Sequence, residues 1–387
     1  MNRRAIALAL AAPVLTGCMV LIGESFDGYV ARGPDAGADA ADSGSTFSSA
    51  PHAIGDCVPT FTVANGVGYP DQAPATFDVP PGTTGLVTDD DARCLQPAGL
   101  PKLPYCLLLA SSVKVRGFLG AAGTRPLVVV GVHDVEISGA INVAGEDAFG
   151  KLGPGANEVG NANALGGGGA SPTANGGDGC TGGGGLAFGL DAGLRGGGSG
   201  GGGLLPNPEC HGGGNGGGAL QIVSLCGTVK LTGNANLNAN GGGGASVTNA
   251  ACASGFGGGG GGSVWIQAAS FQLDKANGAT IDLLGGGGAG GTCRESAADP
   301  WTAGTNAAGR TQGNGATCTN ATGGAGAIGA DGPVADAGAN GSATPPAEST
   351  CGGGGGAVGV AVLVTDVGKC TDSIGFVHGS CVDRPLH

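Results

Sequence analysis

The chain has 387 residues, 88 of them glycine and 21 proline, with only 4% aromatic residues and a formal net charge of −13. That acidity leaves no electrostatic footprint for nucleic acid. The glycines follow no Gly-X-Y period, which excludes collagen, and Gly plus Pro lies in the range of low-complexity sequence. Any core must be built from Val, Leu, Ile and Ala.

The first element is a secretory signal over residues 1–17. Met1-Asn2-Arg3-Arg4 is positively charged, Ala5 to Leu15 is apolar, and small residues precede Cys18. Leu15-Thr16-Gly17-Cys18 resembles the lipobox of bacterial lipoproteins. In that family the cysteine thiol receives a diacylglycerol and the chain is cut just before it. The resemblance implies that Cys18 is the lipidation site and that membrane lipid is a partner. Met19, standing where an Asp would retain a lipoprotein at the inner membrane, implies the outer membrane or cell surface. The competing readings are an ordinary signal peptide and a membrane helix running on through Ile22. Pro13 and Thr16-Gly17 disfavour the helix.

Residues 18–55 follow as a tether. The stretch Gly33-Pro34-Asp35-Ala36-Gly37 continues small, polar and acidic to Ser45, without apolar periodicity, and predicts a disordered spacer. The body, residues 56–387, is a glycine-rich, disulfide-linked β domain. With Cys18 taken by lipid, 12 of the 13 cysteines remain. An even number in an exported chain predicts disulfides; the pairing stays open.

The body carries a weak repeat. Val113-Lys-Val115-Arg-Gly117, Val135-Glu-Ile137-Ser-Gly139 and Val229-Lys-Leu231-Thr-Gly233 each alternate apolar and polar residues before a glycine, and Phe271-Gln-Leu273-Asp274 is a looser copy. An apolar strand precedes three of the copies, at Leu127, Leu220 and Val264. Another follows, as Ile141-Asn-Val143, Leu237-Asn-Ala239 and Ile281-Asp-Leu283, and a last strand runs over Val358 to Val364. Val113 to Val135 spans 22 residues and Leu220 to Val264 spans 44, twice that. The expected fold is therefore all-β, a parallel β-helix or β-solenoid of about 22 residues per rung, with the glycine tracts as long loops between rungs. A β-sandwich is the alternative.

The tracts themselves, such as Gly257 to Gly262 running into Ser263-Val264-Trp265-Ile266, resemble the glycine-rich PE-PGRS-like bacterial surface proteins. That resemblance covers roughly Pro126 to Val364, lacks the PE module, and implies a structural or adhesive role without catalysis.

Chemistry is sparse. No tract continues into the Gly-Lys-[Ser/Thr] of a phosphate-binding loop, and no Gly-x-Ser-x-Gly elbow stands at a strand-to-helix turn. No cofactor is expected, no metal site is assigned and no catalytic residue is chosen. His133-Asp134-Val135-Glu136 is the one place where a histidine and two acids crowd. On a strand Asp134 and Glu136 would share a face, as the paired acids of polysaccharide-cleaving enzymes do, although a solvated strand face is the simpler reading. Trp265 is expected in the core and Trp301 in a loop; Cys210-His211 is too little for a metal. Asn175-Gly-Gly-Asp178 and Gly329-Ala-Asp331 are read as turns. The leading expectation is a lipid-anchored envelope protein with a structural or adhesive role. The alternatives are a carbohydrate-binding or polysaccharide-degrading β-helix, which would have envelope or extracellular glycans as partners, and a calcium-dependent surface module.

Overall fold

The structure is a computed structural model that describes residues 47–48, 50–70, 75–95, 102–146, 151, 153–156, 167–179, 183–201, 213–246, 255–297, 300, 302–305, 307–323, 325–330, 342–343, 348–370 and 377–386. The signal, Cys18 and almost all of the tether lie outside the described residues. Among the described residues no helix is long and apolar enough to cross a membrane.

The protein is all-β. Strands β1 (Phe47–Ser48) and β2 (Tyr69–Pro70) form a short antiparallel pair. Then come β3 (Phe77–Val79), β4 (Thr83–Val87), β5 (Cys106–Ala110), β6 (Val113–Val115), β7 (Phe118–Ala122), β8 (Leu127–Gly131), β9 (Val135–Ile137) and β10 (Ala140–Asn142). After a glycine-rich stretch the chain returns as β11 (Ala219–Ser224), β12 (Thr228–Leu231) and β13 (Asn236–Asn238), and after another as β14 (Ser263–Leu273) and β15 (Thr280–Asp282). Short strands β16 (Cys293–Arg294), β17 (Ala321–Thr322), β18 (Ser342–Ala343) and β19 (Glu348–Ser349) pair antiparallel in a side excursion. The chain closes with β20 (Val360–Val367), β21 (Val377–His378) and β22 (Ser380–Arg384).

Every pairing in the two large sheets is parallel, and the pairings fall into three stacks. The first runs β5, β8, β11, the start of β14, β20 and β22; the second runs β3, β6, β9, β12 and the end of β14; the third runs β4, β7, β10, β13, β15 and β21. Antiparallel Greek-key strands, which a sandwich would require, are absent from these sheets.

The sequence repeat is the register of the stacks. Val113 pairs Val135, Val135 pairs Val229, and Val229 pairs Phe271. Likewise Leu127 pairs Leu220, which pairs Val264, and Ile141 pairs Leu237, which pairs Ile281. All of these side chains point into one core, together with Leu119, Ile137, Leu231 and Leu363. Small β-branched and aliphatic residues suffice because equal positions of successive strands stack on one another.

One expectation is corrected. Leu220 and Val264, 44 residues apart, are direct neighbours in register, not two rungs apart. The extra residues lie in the glycine stretch between β13 and β14. Short intervals of this kind separate Val113 from Val135, by 22 residues, and Val360 from its partner Ser380, by 20.

A second expectation is corrected more deeply: among the described residues, the long glycine tracts are not loops. Gly257–Gly262 is wholly buried, and its neighbours change with a period of three. Gly257 and Gly260 donate to Gly201 and Gly198, Gly258 and Gly261 to Gly354 and Ala357, and Gly259 and Gly262 to Gly242 and Ala239. Its carbonyls accept in turn from Gly214, Gly169, Gly286 and Gly217. Three residues per turn with no internal hydrogen bond is the geometry of the polyproline-II helix, whose backbone groups all point outward. Here they point at other tracts instead of at water. A Cβ on Gly258, Gly259 or Gly260 would lie 2.0, 2.1 and 2.1 Å from the carbonyls of Gly286, Asn215 and Ala170. None of these glycines has a positive φ, so glycine stands there for space, not for an unusual backbone angle. Each buried N–H that finds a carbonyl avoids a desolvation penalty of about 1–3 kcal/mol, which is what allows an almost side-chain-free interior.

The lattice is continuous with the sheets. Gly213–Gly218 runs into β11, Gly257–Gly262 into β14, and the tract from Gly352 into β20. The joints are bonded too: Gly218 donates to Val143, Ser263 to Gly218 and Val360 to Gly262.

The outer face of the first stack is covered by the segment before β2. Ile54, Cys57, Phe61, Val63 and Val67 pack on Val128, Val130 and Val223. Two buried glutamines hold this cover by imitating a strand edge. Gln267 accepts from Ala64 N–H (2.8 Å) and donates to Thr62 O (2.7 Å). Gln221 donates to Ala64 O (3.3 Å) and accepts from Asn65 Nδ2 (3.0 Å). Cys57–Cys226 pins the segment covalently.

The predicted disulfides are present. Besides Cys57–Cys226, Cys94–Cys106 and Cys370–Cys381 close short loops at the first and last passes, and Cys293–Cys318 staples the excursion. Cys351 is disulfide-bonded as well.

Candidate functional site

Among the sequence candidates, His133-Asp134-Val135-Glu136 has the clearest outcome. Strand β9 begins at Val135, which is fully buried, so His133 and Asp134 lie in the turn before it. The Asp134 carboxylate accepts from the Thr228 N–H at 2.8 Å and pairs with Lys230 Nζ at 2.6 Å. Partial burial pushes its pKa up. The Lys230 hydrogen bond, the Thr228 N–H and the Lys230 charge outweigh that and hold it below the usual aspartate value. A general acid needs the opposite shift. Asp134 is thus an anion committed to joining β9 to β12.

Glu136 stands apart from it, on the outer face of the second stack. There Asp78, Lys114, Glu136 and Lys230 occupy one register position on successive strands, so charge alternates from strand to strand. Arg116 makes two hydrogen bonds to Asp78, at 3.2 and 2.6 Å. Asp78, Lys114, Arg116, Glu136 and Ser138 line an open depression of about 300 Å³. Opposite charges on neighbouring strands contribute a few tenths of a kcal/mol to about 1 kcal/mol each. The ladder is accounted for as strand pairing.

The third stack presents a different outer face. Its inward residues, Leu119, Ile141, Leu237 and Ile281, are fully buried, so the residues between them point out. One outward column runs Asn142, Asn238, Asp282, His378. The next runs Phe118, Ala140, Asn236, Thr280.

The polar groups of this face are oriented by the chain itself. Asn142 Oδ1 accepts from the Ala144 N–H (3.0 Å), and Asn238 Oδ1 accepts from the Asn240 N–H (3.0 Å). The same two-residue turn recurs on successive strands, fixing each amide plane and leaving each Nδ2 outward. Asn236 Nδ2 donates to Thr280 Oγ1 (2.8 Å) and Asp282 Oδ2 (2.6 Å), while His378 Nδ1 lies 2.6 Å from Asp282 Oδ1. Phe118 is 37% exposed. Its ring lies over Gly120, where a Cβ would come within 2.9 Å of it.

This is the most organised polar surface among the described residues, and sequence reasoning did not single it out. The signal was the polar middle residue of Ile141-Asn-Val143, Leu237-Asn-Ala239 and Ile281-Asp-Leu283. Its chemistry becomes visible only when the strands are known to be neighbours.

Trp265 is 3% exposed, packed among Val360, Val362 and Val364, with Arg384 over its ring at 5.1 Å. Asn175-Gly-Gly-Asp178 is not the isolated turn expected: Asn175 and Asp178 accept from the Ala187 and Gly184 N–H groups, and Gly176 and Gly177 donate to Gly185 and Gly355 in the glycine lattice. Trp301, Cys210, His211, Asp331 and the lipidation site Cys18 lie outside the described residues. Among the described residues no group of three or more His, Cys, Asp or Glu could hold a metal ion.

No family model matches the chain, and neither the curated proteins nor the solved structures contain a match to it.

Proposed function

We propose that this chain is an exported lipoprotein, anchored by acylated Cys18 at the outer membrane or cell surface, whose body serves as a rigid structural or adhesive element. The body is proposed to be a parallel β-solenoid: three strands per pass, with the glycine lattice inserted between the third strand of one pass and the first of the next. The three parallel stacks, each visited once per pass, support this.

The observation that carries the functional reading is the buried lattice around Gly257–Gly262, joined to the strands of a body that disulfides cross-link elsewhere. Such an interior has few side chains to rearrange and suits a load or display role better than a catalytic one. The Leu15-to-Cys18 motif and the oxidised cysteines support an exterior address. The resemblance to glycine-rich surface proteins points the same way.

Labelling producing cells with a palmitate analogue tests this reading. The wild-type chain should take up label and fractionate with membranes, and Cys18→Ala should do neither. Equal labelling and fractionation of both would overturn it.

A further inference from the structure

We infer that the outer face of the third stack is a binding site for the extended chain of a neutral polysaccharide. The inference rests on the exterior location proposed above, and it deepens that reading from a structural to a glycan-adhesive role.

The face has the composition such a ligand requires. A pyranose offers an apolar C–H face and a rim of hydroxyls. An exposed aromatic ring lying flat on a sheet matches the first. Phe118 is such a ring, with Gly120 beneath it and Ala140 on the neighbouring strand leaving room above. Hydroxyls require both donors and acceptors. Asn142 and Asn238 offer outward amide nitrogens, Asp282 a carboxylate, and His378 its second ring nitrogen.

Pre-organisation is the stronger argument. The turn bonds to Ala144 and Asn240 hold the two amides, and Asn236 and His378 hold Asp282. Groups already fixed lose less freedom on binding. From β7 to β21 the face crosses four strand intervals of about 4.8 Å each, roughly 19 Å in all. The site is therefore a strip that repeats, suited to a polymer that repeats, rather than a closed pocket for one small molecule.

Charge selects the class of polymer. Asp282 brings a carboxylate to the face, hydrogen-bonded by His378 and Asn236, and the chain as a whole carries −13. A polyanion would be repelled and a neutral chain would not.

The test is affinity electrophoresis of the purified full chain in gels containing hydroxyethyl cellulose, a soluble mannan, a soluble α-glucan or polygalacturonate. At least one neutral polymer should retard the protein and polygalacturonate should not. Phe118→Ala should weaken retardation roughly tenfold and Asn238→Ala roughly fivefold, with circular dichroism spectra like that of the wild type. Lys114→Ala, in the charged depression, should leave it unchanged. No retardation by any neutral polymer, retardation by the acidic polymer alone, or equal loss in Lys114→Ala would each overturn the inference. Lipid labelling of Cys18 is read separately, so either proposal can fail without the other.

Discussion

The amide of Gly259 donates to the carbonyl of Gly242 at 2.8 Å, and that same carbonyl would lie 1.8 Å from a Cβ placed on Gly286. One backbone oxygen thus takes the hydrogen bond of one tract and excludes a side chain from another, while a Cβ on Gly259 itself would lie 2.1 Å from the carbonyl of Asn215. Gly259→Ala should destabilise the protein by about 3 kcal/mol, from overpacking and a displaced hydrogen bond. Gly183→Ala is the comparison, because its Cβ would meet only Asp178 Oδ1, at 3.6 Å. Thermal melts of the two variants should separate clearly. Equal melting temperatures would mean that the lattice does not contribute to stability.

Cys57–Cys226 closes a loop of 169 residues. Chain entropy alone assigns such a cross-link about 5 kcal/mol, against about 3 kcal/mol for the 11-residue loop of Cys370–Cys381. The double variant Cys57→Ser, Cys226→Ser should therefore lose more stability in denaturant titration than Cys370→Ser, Cys381→Ser. It should also be cut by protease first between residues 54 and 67, where the cover is released.

Gln267→Leu tests the glutamine clamp. The substitution removes the acceptor for Ala64 N–H and the donor for Thr62 O in a partly buried setting. The expected cost is about 1–3 kcal/mol. Hydrogen exchange should rise at Ala64 while the strand amides of β14 stay protected. If Ala64 exchanges as slowly as in the wild type, the glutamine does not hold the segment.

Acid should act through Asp134. Its folded pKa is below that of the unfolded chain, so its contribution is fully present above the ordinary aspartate value of about 4. That contribution is lost as the pH falls through the lower, folded value. Asp134 is half exposed, so screening limits the effect to less than about 1 kcal/mol. Asp134→Asn should narrow the stability difference between pH 7 and pH 3 by that amount. Denaturant titrations at the two pH values measure it, and an unchanged difference would remove Asp134 from the acid response.

Much of the strand pattern was legible because it is local. Val113, Val135 and Val229 announce themselves by alternation, and even the looser copy at Phe271 takes its place in the same stack. The spacing of Leu220 and Val264 misled because a multiple of 22 looks like two short passes, whereas a long inserted tract gives the same count. Asp134 and Glu136 looked like a pair because alternation was carried two residues too far; the strand starts at Val135 and Lys230, 96 residues from Asp134, claims the carboxylate. Asn142 and Asn238 carried no signal alone, since an asparagine between two apolar residues is ordinary until another stacks on it.

The sequence by itself determined the strands of the repeat, their core-facing residues and the presence of disulfides, because side-chain alternation and cysteine count are properties of the chain. Tertiary structure alone decided which strands are neighbours, which cysteines pair and what the glycines do. The physical reason is that glycine carries no side chain in which a pattern could be written. Gly257–Gly262 reads as a loop in one dimension, and becomes an interior only when Gly198, Gly242 and Gly354 arrive from distant parts of the chain to accept its hydrogen bonds.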